Sequence, residues 1–190
     1  MEEWSDGTHV YMDQQEAMAG FLREFDAEKL QPKACPMPSK SLMSSDDTLL
    51  TANAAAVYRH AVGTLNFYAR CTRYDIGHTV SQLSGVMKAP TVGAMKALTH
   101  LLGYLKATVG FRIGGACSVR DSLEYFVDSD HAGDRPRTTK SHSGAIFLLN
   151  GVPFEWISRK QPDTAVSPAE AEVYAMREAA VAARLAQWGS

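Results

Sequence analysis

Only three cysteines occur in the 190 residues, Cys35, Cys71 and Cys117, and no two stand at C-x-x-C spacing. So few and scattered thiols exclude a disulfide framework and a cysteine-built zinc site, and they fit a reducing compartment. No apolar run approaches the roughly 20 residues of a membrane-spanning helix. The opening Met1-Glu-Glu-Trp-Ser lacks the basic and apolar regions of a signal peptide. The expected location is cytoplasmic or nuclear, with no membrane partner. Positive charge is not in excess either: 19 Lys and Arg against 21 Asp and Glu give a net charge of −2. Nucleic-acid binding would therefore rest on a local patch and not on an overall basic field. The six histidines include no H-x-x-x-H pair, and there is no internal repeat. What is present, 45% hydrophobic and 21% charged residues, suits a globular chain of one domain or two small ones.

The pattern along the chain changes from helical to strand-like. Met18, Phe21, Leu22 and Phe25 fall at i, i+3, i+4 and i+7 behind Asp13 and Glu16, spaced as a capping box. Residues 31–50, with three prolines and many turn formers, read as an extended connection. Three apolar stripes follow: Val57, Tyr58, Ala61, Val62 and Leu65; Ile76, Val80, Leu83 and Met87 behind Asp75 as N-cap; Met95, Leu98, Leu102 and Leu105 after Pro90-Thr91. Narrow stripes of this kind predict a packed bundle. After Gly110 the runs 123–128, 143–149 and 152–157 are β-rich. Asn150-Gly151 before the last of them signals a tight hairpin, so a three-stranded antiparallel meander is expected. A closing helix starts at Ser167 as N-cap, with Pro168 in its first turn and Glu170 completing a capping box.

Two carboxylates stand out from this arrangement. Strand alternation puts Asp128 on one face with Phe126, and Tyr125 and Val127 on the other. On the closing helix Glu172 leads a stripe continued by Met176, Ala179, Ala180 and Ala183, expected to face the core. A carboxylate facing an apolar interior requires a cation or a proton. If the helix crosses the meander, Asp128 and Glu172 converge, and paired carboxylates suit Mg²⁺ or Mn²⁺. The bland alternative is a pair of solvated residues at element ends. Asp130 and Asp134 fit an ordinary turn. Arg135, Arg137, Lys140, Arg159 and Lys160, with His142, lie in the loops beside this candidate site, where they are either solvated or placed for phosphate contact. Phe147, Phe154 and Trp156 are expected to fill the core.

Several motifs resemble a known family: Tyr58-Arg-His-Ala-Val-Gly-Thr-Leu, Thr72-Arg-Tyr-Asp-Ile76, Gln82-Leu-Ser84, Ala97-Leu98 with Tyr104-Leu-Lys106, Asp128-Ser-Asp-His-Ala-Gly-Asp134, Thr139-Lys-Ser-His-Ser-Gly144, Trp156-Ile-Ser-Arg-Lys-Gln161 and Glu170-Ala-Glu172. Their order is that of copia-type retrotransposon Pol proteins, and the resemblance covers nearly the whole chain, most faintly before residue 54. It implies an α/β chain with an α+β tendency. Residues 1–53 would be a helix and linker like those of a reverse transcriptase thumb, 54–118 a helical connection segment, and 119–190 the opening β-β-β-α of a ribonuclease H domain, truncated after its first helix.

The implied chemistry is two-metal hydrolysis of the RNA strand of an RNA–DNA hybrid, with Asp128 and Glu172 among the ligands of two Mg²⁺ (or Mn²⁺) ions. The implied setting is a retroelement particle, and the implied partners are the hybrid and the remainder of the Pol polyprotein. The sequence departs from the family pattern at His131 (usually Trp), Pro168-Ala169 (Ser-Thr) and Val173 (Tyr), none of which supplies a metal ligand. The family's third metal-binding Asp and its Tyr-x-Asp-Asp polymerase motif have no counterpart in these residues. The expected isolated chain is therefore inactive, and it is expected to self-associate through the open edge of its first meander strand. The alternative readings are an inactive retroelement remnant that binds at most a nucleic-acid backbone, and an unrelated α/β interaction module.

Overall fold

The computed structural model describes residues 2–5, 9–37, 43, 45–116, 122–130, 141–161 and 167–187. They are mixed α and β and divide into two compact units, Met1–Ala116 and Cys117–Ser190. Among the described residues no helix is long and apolar enough to cross a membrane.

In the first unit, strands β1 (Glu2–Ser5), β2 (His9–Asp13) and β3 (Ile113–Ala116) form an antiparallel sheet in that order. The sequence pattern predicts no strand here. The pieces are only four or five residues long, and β3 reads Ile-Gly-Gly-Ala, which no β-propensity marks; β1 and β2 pair locally, and the long-range pairing with β2 creates β3. Helix α1 (Gln15–Glu24) buries Met18, Phe21 and Leu22 as the spacing predicts. Its start differs from the expected capping box. Asp13 accepts from Gln15 N–H at 3.1 Å and, 1% exposed, pairs with Arg112 Nε at 3.1 Å. Its carboxylate is held by the arginine as well as by the chain entering the helix.

Helices α2 (Ala52–Cys71), α3 (Gly77–Ser84) and α4 (Val92–Ala107) follow, and their buried residues join those of α1 in one core. Thr51 and Thr91 cap α2 and α4 by accepting from Ala54 and Ala94 N–H. On α2, Tyr58, Ala61, Val62 and Leu65 are buried, and Tyr58 Oη donates to Leu83 C=O at 2.9 Å; Val57, at the rim of the expected stripe, is exposed. The start of the connection before α2 lies against α4. Lys33 N–H donates to Gly103 C=O, and a Cβ at Gly103 would lie 2.6 Å from Gln31 C=O. Gly103→Ala is expected to destabilise the unit by about 1–3 kcal/mol, since overpacking against backbone has no flexible neighbour to absorb it. Urea unfolding checks this, and an unchanged midpoint would contradict it.

Asp75 does not cap α3 as the sequence suggested; a 3-10 turn, Tyr74–Ile76, leads into that helix instead. The carboxylate binds Arg73 at both oxygens (Nε to Oδ1 2.9 Å, Nη2 to Oδ2 2.7 Å) and accepts from Tyr104 Oη at 2.8 Å. Arg73 also donates to Thr108 C=O and Oγ1, and its guanidinium lies over the Tyr104 and Phe111 rings. A planar, five-donor cation can be satisfied on all these sides at once, which is why an arginine can be buried here.

Burial, and then the hydrogen bond and negative charge of Asp75, push the Tyr104 phenol up to about 12 from 10.0. A phenol whose proton is held more tightly in the fold than in the unfolded chain contributes stability that is full below pH 10 and is lost as the pH rises through about 12. Spectroscopic titration is expected to show Tyr104 ionising together with loss of helical signal, and Tyr104→Phe is expected to remove that late step. Tyrosines that all ionise near 10 in an intact fold would refute it.

In the second unit, β4 (Leu123–Asp130), β5 (His142–Leu149) and β6 (Val152–Lys160) form the expected antiparallel meander in the order β4-β5-β6. Asn150 and Gly151 turn the β5-β6 hairpin with φ of 54° and 80°, the paired positive values that this dipeptide tolerates. Asn150 also exchanges hydrogen bonds with Ser122 through its N–H and Oδ1, tying the turn to the start of β4. Helix α5 (Pro168–Gln187) begins as predicted, with Ser167 Oγ accepting from Glu170 N–H at 3.2 Å. It packs on β4 and β5. Phe147 is buried between the rings of Tyr125 and Phe154. Phe154, expected in the core, is 44% exposed at its rim. Among the described residues no strand pairs with the outer edge of β4.

Candidate functional site

Asp128 lies in the second half of β4, opposite Gly144 of β5, with its side chain exposed and Oδ1 accepting from Ser129 N–H at 2.8 Å. Strand alternation groups it with Phe126, which is also exposed. Ser129, Val127 and Tyr125 belong to the opposite face, with their partners Ser143, Ala145 and Phe147. That second face carries α5, because Gln161 Nε2 donates both to Ser143 Oγ at 3.0 Å and to Ala171 C=O at 2.8 Å.

On α5 the buried positions are Ala171 and Ala175, whereas Glu172 and Met176 are exposed. The expected core-facing stripe is thus displaced by one residue. Two alanines four apart let the helix backbone approach the sheet closely, which the larger Glu172 and Met176 would prevent. Glu172 therefore stands on an open flank of α5, and the desolvation argument for its needing a cation does not apply. The two carboxylates occupy elements that pack together, β4 and α5, but they do not share a buried pocket. Among the described residues no three His, Cys, Asp or Glu side chains gather as a metal site.

Of the basic residues, Arg159 is exposed and Lys160 half-buried at the end of β6, in register with Ser143 and His142; His142 Nε2 lies 3.2 Å from Ser158 Oγ. Arg135, Arg137 and Lys140, with Asp134 and His131, lie outside the described residues. The residue to which sequence reasoning gives no role is Gln161. Its signal is faint: a polar residue closing the Trp156-to-Gln161 motif, of a type usually solvated.

No family model and no solved structure matches the chain. Among proteins of known name, it is 30% identical over 176 residues, 89% of its length, to the retrovirus-related Pol polyprotein from transposon TNT 1-94 of Nicotiana tabacum. It is 33% identical over 166 residues, 87% of its length, to the retrovirus-related Pol polyprotein from transposon RE1 of Arabidopsis thaliana. The chain spans 13% and 11% of these two proteins. It is also 34% identical over 122 residues to the secreted RxLR effector protein 161 of Plasmopara viticola, covering 64% of the chain and 85% of that protein.

Proposed function

The chain belongs to the copia-type retrotransposon Pol family, and from that premise we propose that its second unit is the opening part of a ribonuclease H domain acting on RNA–DNA hybrids. The observation that carries the reading is the order of elements around two carboxylates: an antiparallel β4-β5-β6 meander with Asp128 in its first strand, then a helix packed on that strand with Glu172 near its start. Likeness to a Pol polyprotein and to a protein of quite different name speaks for common ancestry. Activity has to be argued from the site.

Asp128 and Glu172 are accessible carboxylates, the hard oxygen donors that Mg²⁺ and Mn²⁺ take, but Asp128 lies on the face of the meander away from α5, so chemistry and not the described geometry supports their sharing an ion. When bound, such ions supply an activated water and charge stabilisation for in-line hydrolysis of a phosphodiester. The protein's own part is to hold the two carboxylates on rigid elements and to steer the hybrid backbone. Arg159 and Lys160, with Arg135, Arg137 and Lys140, are the cations proposed to bind phosphates. The open edge of β4 suits addition of a further strand, from the remainder of Pol or from a second copy of the chain.

The test is a cleavage assay on a Pol polypeptide that includes these residues, with a labelled RNA–DNA hybrid. The expected result is Mg²⁺-dependent cutting of the RNA strand alone. Cutting that spares neither strand, or that survives chelation of divalent ions, would sink the reading.

A further inference from the structure

We propose that the face of the β4-β5-β6 meander turned away from α5 docks a second copy of the chain, the two sheets stacking about a two-fold axis that runs along β5. The pairing stands apart from the reading of Asp128 and Glu172 as metal ligands. One row of this face, running across all three strands, is apolar throughout: Phe126 pairs with Ile146, and Ile146 with Trp156. Phe126 is 61% exposed, and Ile146 and Trp156 are only half-buried. Helix α5 is fastened to the opposite face through Ser143, Gln161 and Ala171, so it covers none of this row. Three large apolar side chains in line form a contiguous band, and such bands mark contact sites where single exposed residues do not.

Charge on the same face identifies the occupant. The exposed acids Glu124 and Asp128 stand on β4, and the base, Lys160, ends β6. Both outer strands pair antiparallel with β5 and therefore run the same way. A two-fold axis along β5 then lays β4 of one copy over β6 of the other without reversing either strand. Phe126 meets Trp156 of the second copy, and Ile146 meets its own counterpart on the axis. Asp128 comes over Ser158, two residues from Lys160, and symmetry repeats the acid-to-base contact on the other side, as an isologous interface requires. An axis across the strands would instead lay β4 on β4 and bring Asp128 over Glu124, acid on acid. Stacked sheets lie about 10 Å apart, a gap that phenylalanine and tryptophan side chains fill. Gly144, in register between Asp128 and Ser158, adds no side chain that would hold the sheets further apart beside the apolar row.

The experiment is sedimentation velocity of the full chain over a range of concentrations, with circular dichroism to establish that each variant is folded. The wild type is expected to pass from monomer to dimer as concentration rises. Ile146→Lys and Ile146→Glu each set two like charges together at the axis, and each is expected to weaken the dimer about tenfold or more. An equimolar mixture of the two is expected to associate again, because lysine then meets glutamate. Phe126→Lys, at the exposed end of the row, is expected to weaken the dimer as well, and it decides the matter if the Ile146 variants do not fold. Recovery in the mixture is not a property of pairing through the open edge of β4, from which Ile146 is one strand removed. A dimer left unchanged by Ile146→Lys and Phe126→Lys would overturn the stacking in favour of that edge, and a mixture of folded Ile146 variants that stays monomeric would overturn the axis. A wild type that is monomeric at every concentration would overturn the pairing outright and leave the face to a segment of another protein.

Discussion

Asp128→Asn is expected to reduce Mg²⁺-dependent hybrid cleavage by a Pol polypeptide containing this chain roughly a thousandfold, the scale on which loss of one preorganised electrostatic group lowers turnover. The substitution keeps shape and hydrogen-bonding capacity but removes a full negative charge from an exposed strand position, so the unfolding midpoint is expected to stay close to wild type. Glu172→Gln makes the same change on the exposed flank of α5 and is expected to act in the same direction with as little effect on stability. Because both would serve one ion site, the double variant is expected to lose no more than the worse single one; groups that act as a unit are not additive. Arg159→Ala is the contrast. If Arg159 binds phosphate as proposed, removing its charge from the end of β6 is expected to weaken hybrid binding and reduce its salt dependence, while cleavage of the bound hybrid stays near normal. Unchanged cleavage in Asp128→Asn, measured with folded protein, would remove Asp128 from the site.

What the sequence revealed and what it hid follow from how local each signal is. The β5-β6 turn was legible because Asn150-Gly151 encodes two positive φ angles by itself, and the start of α5 because Ser167 and Pro168 act within a single turn. The stripes of α2 and α4 were legible because their faces meet a core at helical period. The sheet of β1, β2 and β3 was not, since its strands are short and β3 joins from about a hundred residues away in sequence, Tyr11 pairing with Gly114. The site was half legible. Spacing finds a carboxylate on a helix, but two faces one residue apart, led by Ala171 and by Glu172, are both plausible as the buried one, and the difference lies in side-chain size. Asp13 and Asp75 were misread for a related reason. An acid before a helix looks like a cap in sequence, and only the fold brings Arg112 to one; the other binds Arg73, two residues before it, while the fold adds Tyr104.

The largest stability effect is expected from Arg73→Ala, which is predicted to cost the first unit about 3–5 kcal/mol, the range for breaking a buried ion pair from one side. Arg73 is 1% exposed, and removing it leaves the partly buried Asp75 carboxylate without its cation, takes the donor from Thr108 Oγ1, and leaves Thr108 C=O with Phe111 N–H alone. It also takes a guanidinium from the faces of Tyr104 and Phe111, so packing goes together with charge. Small domains have only about 5–15 kcal/mol in hand, so the variant is expected to be partly unfolded at ambient temperature. Arg73→Lys is not a remedy, because one ammonium cannot span both Asp75 oxygens and Thr108 from a single position. Asp75→Asn in the Arg73→Ala background is expected to recover part of the loss, since it removes the unpaired charge while Asn Oδ1 can still accept from Tyr104 Oη. That recovery distinguishes an electrostatic origin from simple cavity formation, in which the second substitution would bring no gain. Urea unfolding of the four proteins, read by far-ultraviolet circular dichroism, measures the cycle; a loss under about 1 kcal/mol for Arg73→Ala, the scale of an exposed pair, would mean that solvent already carries this charge.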